Sequence, residues 1–478
     1  MTHTTDHLMN TDIARRRLLR ARVPGVRLLC STIGLTVALS LGACSLDEML
    51  QVEDPDVATP GSLDNPQALP AVLAGAKSEF QVAYSGNTGA EGQINLSGMF
   101  ADELLNAESF PTRIEVDQRR VKPENATTQG LFRQLARARA SAEFAVSKFE
   151  KFDPDTEGHA EALILNGFAI ILFGENYCSG VPFSRVTEAG ETIYGEPLTT
   201  AQMFDTAIAK FDAALAMGAN DDLGMLARIG KARAQLALGL FDEAAATIGG
   251  GVDDEFIYLV EHSENSNREQ NGVFIFMAIS ERWTVANNEG VNGLPYRSDN
   301  DPRVPYRRSP ATDVGFDNFT PQFDQMKYPE RGADVPLATG LEARLIEAEA
   351  DLKNADYVAW LAKLNALRAA PPSYTGVDAG ELPALVDPGT VAARENLHFK
   401  ERAYWLWLTS HRLGDLRRLV KFYGRTQDQV FPTGPYQRSN IGGEYGTDVN
   451  LPLPIDEANN PNVPTTPGGL PECIDRNA

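Results

Sequence analysis

The feature that most restricts the fold of this chain is a gapless internal repeat. Residues 227–248, ARIGKARAQLALGLFDEAAATI, align with residues 343–364, ARLIEAEADLKNADYVAWLAKL. The shared small, leucine and aromatic positions are Ala232/Ala348, Ala234/Ala350, Leu236/Leu352 and Phe241/Tyr357. Small residues at these spacings let two helices approach closely across a short turn. We therefore predict stacked helical pairs, with two unrelated alanine-rich helices as the alternative.

Apolar residues at spacings of three and four extend this helical pattern over much of the chain. The pattern predicts a mainly α protein with tetratricopeptide-like helical pairs at about 129–250 and 340–424. Two stretches rich in proline, at about 255–340 and 431–478, are predicted to be irregular insertions. Long irregular segments in compact domains are usually functional, so we expect these insertions to have a function.

The N-terminal segment has the order of a secretory signal. Six arginines precede an apolar run from Leu28 to Ala43, which is too short for a spanning helix. The sequence Leu41-Gly42-Ala43-Cys44 resembles the bacterial lipobox, in which the cysteine carries the lipid. A buried core cysteine is the alternative, but acidic residues follow Cys44 directly. We predict a lipoprotein signal peptide at 1–43, an acidic tether at 44–66 and one domain at 67–478.

Net charge limits the partners of this chain. The formal charge is -22, and removal of residues 1–43, with six arginines and two aspartates, makes it -26. An acidic chain without basic runs argues against nucleic acids and anionic lipid surfaces as ligands. Besides Cys44, the predicted mature chain has only Cys178 and Cys473. In an exported protein these two can form a disulfide or remain separate thiols, and the sequence leaves both open.

Four segments in order resemble the SusD/RagB family of outer-membrane nutrient-binding lipoproteins. They are GMFADE (98–103), LFGENYCSGVPFS (172–184), GLEARLIEAEADL (340–352) and KERAYWLWLTSHRLGDLRR (400–418). The last is similar to a family helix with the pattern Glu-Arg...Leu...Gly-x-Arg-x-x-Asp-Leu-x-Arg. This chain departs from the family at His411, where the pattern has glycine, and at Glu175-Asn176, where Gly-Asp is usual.

The resemblance implies a SusD-like α/α superhelix in which helical pairs support a loop-rich ligand-binding part. The same resemblance implies a lipid anchor in the outer membrane, at the cell surface. It also implies a partner, a TonB-dependent outer-membrane barrel of the SusC type. The implied ligand is a nutrient, an oligosaccharide first and a peptide second. Members of this family act without a cofactor or a catalytic step of their own.

Catalytic motifs are absent from the sequence. No His-Glu-x-x-His and no Gly-x-Ser-x-Gly pattern occurs, so we predict no catalytic or metal-binding residue. Two alternatives stay open. One is an assembly scaffold in which the helical repeats are the functional surface. The other is a glycoside hydrolase, because two of the many carboxylates could lie at the separation that such chemistry needs.

Candidate ligand residues lie in two segments, 95–113 and 281–303. Aromatic faces and amide or charged groups are what a nutrient site needs. Trp283 and Tyr296 are the candidate stacking rings, with the alternative that they anchor their loops to the core. The candidate polar partners are Asn106, Arg113, Asn287, Asn288 and Arg297. For Asp102-Glu103 and for Asp301 with Arg303, we favour a structural role over ligand contact.

Overall fold

The computed structural model describes residues 61–187, 190–218, 221–249, 251–372 and 379–477. The predicted signal peptide, Cys44 and the tether up to residue 60 lie outside these described residues. In the part of the chain that the structure describes, no helix combines the length and the apolar composition that crossing a membrane requires.

Helices make up most of the regular structure, as the apolar periodicity predicts. Side chains at helix starts satisfy free backbone N–H groups: Asn125 accepts from two of them, and Thr199 forms a capping box with Gln202. The helices are α1 Leu69–Ser85, α2 Gly92–Phe100, α3 Pro111–Asp117, α4 Ala126–Phe152, α5 Glu157–Asn176, α6 Thr200–Ala216, α7 Asp221–Ala237, α8 Phe241–Ile248, α9 Gly272–Phe274, α10 Gly340–Lys353, α11 Tyr357–Ala369, α12 Val391–Trp405, α13 Arg412–Phe422 and α14 Gln427–Val430.

The strands of the described residues are short and form antiparallel pairs. The pairs are β1 with β7, β2 with β5, β3 with β4, β6 with β10, and β8 with β9. Their bounds are β1 Leu104–Asn106, β2 Val181–Pro182, β3 Arg185–Val186, β4 Thr192–Ile193, β5 Pro197–Leu198, β6 Ile257–Val260, β7 Trp283–Val285, β8 Tyr306–Arg308, β9 Phe323–Gln325 and β10 Val335–Thr339.

Consecutive helices pack against each other, most extensively α5 with α6, α4 with α5, and α6 with α7. Both copies of the internal repeat form a helix, a short turn and a second helix, and their shared alanines and leucines are buried. Glycine permits one of the closest approaches. A Cβ atom added to Gly230 would lie 2.4 Å from the ring of Phe211, and one added to Gly167 would lie 2.8 Å from it. The small residues therefore act as the repeat pattern predicts.

Helix α13 joins the segments that carry the family resemblance. Arg412 donates two hydrogen bonds to the carboxylate of Asp102, at 2.6 and 2.8 Å, and both side chains are buried. The neighbouring Glu103 accepts a hydrogen bond from the backbone N–H of Leu408 at 2.9 Å. The Asp-Glu pair thus has the structural role that we favour, since it links α2 to the start of α13.

Two further arginines of α13 reach the other resembling segments. Arg417 donates to the backbone carbonyl oxygens of Gly174 and Glu175, both at 2.7 Å, at the C-terminal end of α5. Arg418 donates to both carboxylate oxygens of Glu349 in α10, at 3.1 and 2.8 Å. The four resembling segments therefore meet at one buried set of charges.

The C-terminal tail is fixed by a disulfide. Cys178 and Cys473 are bonded, with their Cα atoms 5.9 Å apart and a sequence separation of 295 residues. Backbone hydrogen bonds flank the bridge, from Ser179 to the carbonyl of Asp475 and from Ile474 to the carbonyl of Ser179. Of the two alternatives for these thiols, the structure has the bonded one.

Candidate functional site

The pairing of β1 with β7 brings the two candidate segments side by side. Asn106 lies directly opposite Trp283, and Leu104 lies opposite Val285. Asn106 is fully buried, and its side-chain oxygen accepts hydrogen bonds from the backbone N–H of Glu108 and from Arg438. The amide group predicted to bind ligand is therefore used to hold neighbouring loops.

The two predicted stacking rings are both fully buried. Trp283 stacks on Phe276 with 5.8 Å between ring centroids, and the guanidinium carbon of Arg113 lies 5.4 Å from its centroid. Tyr296 packs against Tyr404 at 5.4 Å and against Trp407 at 6.5 Å. Neither ring offers a face to solvent. This burial favours the alternative in which both rings anchor their loops to the core.

Arg113 belongs to a charge network directly above Trp283. It donates to both carboxylate oxygens of Glu108, at 2.8 and 3.0 Å, and through Nε to Glu91 at 2.7 Å. Arg282 donates to the same Glu108, which is fully buried. Burial raises the pKa of Glu108, and the two arginines oppose that effect. The network thus holds two arginine side chains in fixed positions.

Two exposed phenylalanine rings lie against this network, and a third lies in the same turn as one of them. The guanidinium carbon of Arg282 lies 5.3 Å from the ring centroid of Phe110 and 4.8 Å from that of Phe316. Phe110, Phe316 and Phe319 are 49%, 51% and 52% exposed. Such cation–π contacts contribute about 0.5 to 1 kcal/mol each at exposed sites. We call these four residues, Phe110, Phe316, Phe319 and Arg282, the phenylalanine–arginine surface.

Backbone hydrogen bonds fix the loops that carry this surface. Ala107 donates to the carbonyl of Arg282 at 2.8 Å, and its own carbonyl accepts from Asp317 at 2.9 Å. The carboxylate of Asp317 in turn accepts from the N–H groups of Phe319 and Thr320, at 2.9 and 2.8 Å. The turn between β8 and β9 is therefore held against β1 and β7, and its two phenylalanines are presented in a defined orientation.

The remaining predicted residues form a separate group after β7. The side-chain oxygen of Asn287 accepts from the N–H groups of Arg297 and Ser298, at 3.0 and 2.9 Å, and from the Ser298 hydroxyl. Asn288 donates to the same hydroxyl at 3.2 Å. Both asparagines thus shape the turn, whereas the guanidinium of Arg297 lies 3.9 Å from the ring of Phe323. The structure brings Asn106, Arg113 and Trp283 together, and places Tyr296, Arg297, Asn287 and Asn288 in this second group.

The sequence reasoning missed the exposed phenylalanines. Phe110 lies within the candidate segment 95–113, in the loop SFPTR, where proline begins a helix directly after the ring. Phe316 and Phe319 lie in GFDNFTP, residues 315–321, a turn sequence that holds two aromatic residues. The sequence signal for these exposed rings was aromatic residues among turn-forming residues, because side chains in turns are seldom buried in a core.

Comparisons with known proteins show the fold. No family model matches the sequence, and no curated protein matches it. Similar solved structures include a SusD/RagB family protein from Bacteroides thetaiotaomicron, with 13% identity and a TM-score of 0.57, covering 82% of this chain and 94% of that one. A SusD-like carbohydrate binding protein from Bacteroides vulgatus has 15% identity and a TM-score of 0.54, with 80% and 88% covered. A laminarin binding SusD-like protein has 13% identity and a TM-score of 0.59, with 85% and 100% covered.

At these identities the likeness is one of fold. The chain has the SusD-like fold, a mainly helical superhelix with a loop-rich part, and the prediction of that fold from four sequence segments is confirmed.

Proposed function

We propose that this chain is a lipid-anchored nutrient-binding protein whose ligand binds on the phenylalanine–arginine surface. The observation that carries the proposal is the set of three half-exposed rings on fixed loops, two of which lie against the arginines that pair with the buried Glu108. Flat aromatic faces with a few fixed polar groups suit the faces and hydroxyls of sugar rings. Neighbours of the same fold that bind carbohydrate, one of them laminarin, support an oligosaccharide before a peptide.

The energetics of this surface favour binding. Covering exposed apolar groups with a partner makes the free energy of binding more favourable, by about 25 cal/mol per Å² of apolar area buried. Ordering of loops usually subtracts from that gain, but here the loops are already fixed by Asp317 and by the backbone of Ala107. Arg282 is 23% exposed at its side chain, which leaves part of its guanidinium available to hydroxyl or carbonyl groups.

Isothermal titration calorimetry with laminari-oligosaccharides and with peptide pools tests the proposed site. The substitutions Phe110→Ala and Phe316→Ala should each weaken binding about tenfold, because each removes a stacking face worth roughly 1 to 2 kcal/mol. Tyr194→Ala is the matched control, since Tyr194 is an aromatic residue of similar exposure, 45%, in another loop. An unchanged affinity in the double variant would contradict this site. Binding of neither saccharide nor peptide by the wild type would contradict nutrient capture.

We further propose that Cys44 carries the lipid and that the protein delivers its ligand to a TonB-dependent barrel of the SusC type. Tagged wild type and Cys44→Ala should be purified from detergent-solubilised outer membranes, with partners identified by mass spectrometry. We expect a large barrel with the wild type and loss of Cys44→Ala from the membrane fraction. Recovery of soluble partners alone would support a scaffold. New reducing ends after incubation of glycans with the pure protein would support a hydrolase and contradict a purely binding role.

A further inference from the structure

Two arginines contact one phenylalanine ring on the hairpin of β8 and β9. Arg308 lies opposite Phe323 in the register of the hairpin, so both side chains are on the same face. The guanidinium carbons of Arg297 and Arg308 lie 3.9 and 5.0 Å from the centroid of that ring. Two positive charges are therefore held close together at one place on the surface.

These two charges have little compensation within the protein. Among the described residues, no carboxylate lies within ion-pair distance of Arg297, and its buried Nε has no hydrogen-bond partner. Arg308 pairs with the carboxylate of Asp313 at 3.3 Å, whose side chain is 85% exposed, and donates to the backbone carbonyl of the same residue at 2.5 Å. Exposed pairs of this kind contribute little. Burial lowers the pKa of Arg297, and the neighbouring Arg308 adds to that effect.

Several fully buried arginines of this chain pair with carboxylates. Arg303 pairs with Asp301 and Glu401, and Arg412 pairs with Asp102. Arg297 and Arg308 are different, because Arg297 is half-buried, Arg308 is exposed, and one ring holds both without a buried carboxylate. Both guanidinium groups can therefore be reached from solvent by an anion that comes from outside the chain.

The pair formed by Arg297 and Arg308 lies close to the phenylalanine–arginine surface. Phe323 follows Phe319 by four residues, which places their backbones within about 14 Å of each other. The N–H of Phe323 donates to the hydroxyl of Thr284 at 2.8 Å, which fixes β9 beside β7. One oligomeric ligand can therefore reach both places.

We propose that the ligand of this protein carries oxyanion groups, carboxylate or sulfate, and that Arg297 and Arg308 bind them. This inference rests on the function proposed above and names its substrate class, an acidic oligosaccharide. The planar guanidinium group binds carboxylate and sulfate through two parallel hydrogen bonds, which a lysine cannot do. Stacking on Phe323 holds both guanidinium groups in place before the ligand arrives.

The test compares three probes by isothermal titration calorimetry. Oligogalacturonate supplies carboxylates, a sulfated carrageenan oligosaccharide supplies sulfates, and laminari-oligosaccharide is neutral. We expect at least one acidic probe to bind about tenfold or more tightly than the neutral one, with an affinity that falls as salt rises. Which acidic probe binds more tightly distinguishes carboxylate from sulfate.

Arg297→Gln and Arg308→Gln should each weaken binding of the acidic probe about tenfold and leave neutral binding unchanged. Arg307→Gln is the matched control, because Arg307 points to the opposite face of the same strand and pairs with Asp324 at 3.8 Å. Circular dichroism checks folding. If Arg297→Gln does not fold, the exposed Arg308 still decides the outcome.

Two results would overturn the inference while leaving nutrient capture intact. One is a neutral probe that binds as tightly as the acidic ones. The other is acidic binding that neither variant weakens. Failure of the wild type to bind any of the three probes, or a peptide pool, would instead refute the function on which the inference rests.

Discussion

Replacing Asp102 by asparagine removes one charge from a fully buried ion pair and keeps the shape of the side chain. Arg412 then faces a neutral amide where it now donates two hydrogen bonds of 2.6 and 2.8 Å. Breaking a buried pair on one side costs about 3 to 5 kcal/mol, because the remaining charge is left without compensation. Asp415 lies close enough to attract Arg412, so we expect the lower end, about 3 kcal/mol.

Urea unfolding of the purified mature chain measures this loss, followed by circular dichroism and tryptophan fluorescence. Coincident transitions are needed before a free energy of unfolding is assigned. Asp456→Asn is the control, because Asp456 pairs with Arg133 while both side chains are about half exposed. Exposed pairs contribute about 0 to 1 kcal/mol. The double variant Asp102→Asn/Arg412→Gln should lose less than the sum of the two single losses, since both residues serve one interaction.

The reasoning would be refuted by either of two results. Asp102→Asn could cost no more than Asp456→Asn, or the losses of the single variants could simply add. In either case the link between α2 and α13 would not be the buried ion pair, and the meeting of the family-resembling segments at α13 would have another cause.

Three further changes test other parts of the structure. Cys473→Ala should lower the free energy of unfolding by about 2 to 5 kcal/mol, because the disulfide closes a very long loop. A reducing agent should then have no further effect on the variant. A loss below about 1 kcal/mol in the variant would contradict this prediction. Burial raises the pKa of Glu289 well above the usual carboxyl range, and neither of its carboxyl oxygens has a hydrogen-bond partner among the described residues. The folded state therefore holds the Glu289 proton more tightly than the unfolded state does. The free energy of unfolding should consequently fall as pH rises above about 5. Glu289→Gln should remove up to about 1.4 kcal/mol per pH unit of that slope, and an unchanged slope would show that Glu289 ionises normally. Trp283→Ala should lower the free energy of unfolding by about 3 to 5 kcal/mol, measured by thermal or urea unfolding, because the ring is buried between Phe276 and Arg113. A loss of ligand affinity without a loss of stability would instead show that Trp283 contacts the ligand.

The helical architecture could be predicted from the sequence because its signals are local. Apolar residues at spacings of three and four mark helices, and the paired alanines and leucines of the repeat mark close helix packing. The four segments that resemble the SusD/RagB family predicted the fold, and arginines of the fourth segment, in α13, donate hydrogen bonds to the other three. These hydrogen bonds leave a sequence pattern, because each buried arginine requires an acceptor residue at a defined position.

The exposure of individual rings could not be predicted in the same way. Trp283 and Phe110 look alike in sequence, as aromatic residues in polar loops, yet one is fully buried and the other is half exposed. The difference arises because β1 pairs with β7, and Arg113 then covers Trp283 while Phe110 lies outside Arg113. The sequence predicted two candidate segments, and the structure pairs them through β1 and β7, but the rings that face solvent there were not among the candidate residues.

Local sequence patterns were enough to predict the helices, the repeat and the two regions where loops gather. The bond between Cys178 and Cys473, the burial of Trp283 and Tyr296, and the lack of a carboxylate beside Arg297 among the described residues follow from tertiary packing. The physical reason is the range of the interactions. Helix formation depends on residues three or four positions apart, whereas exposure, disulfide pairing and charge compensation depend on which distant segment packs against each side chain.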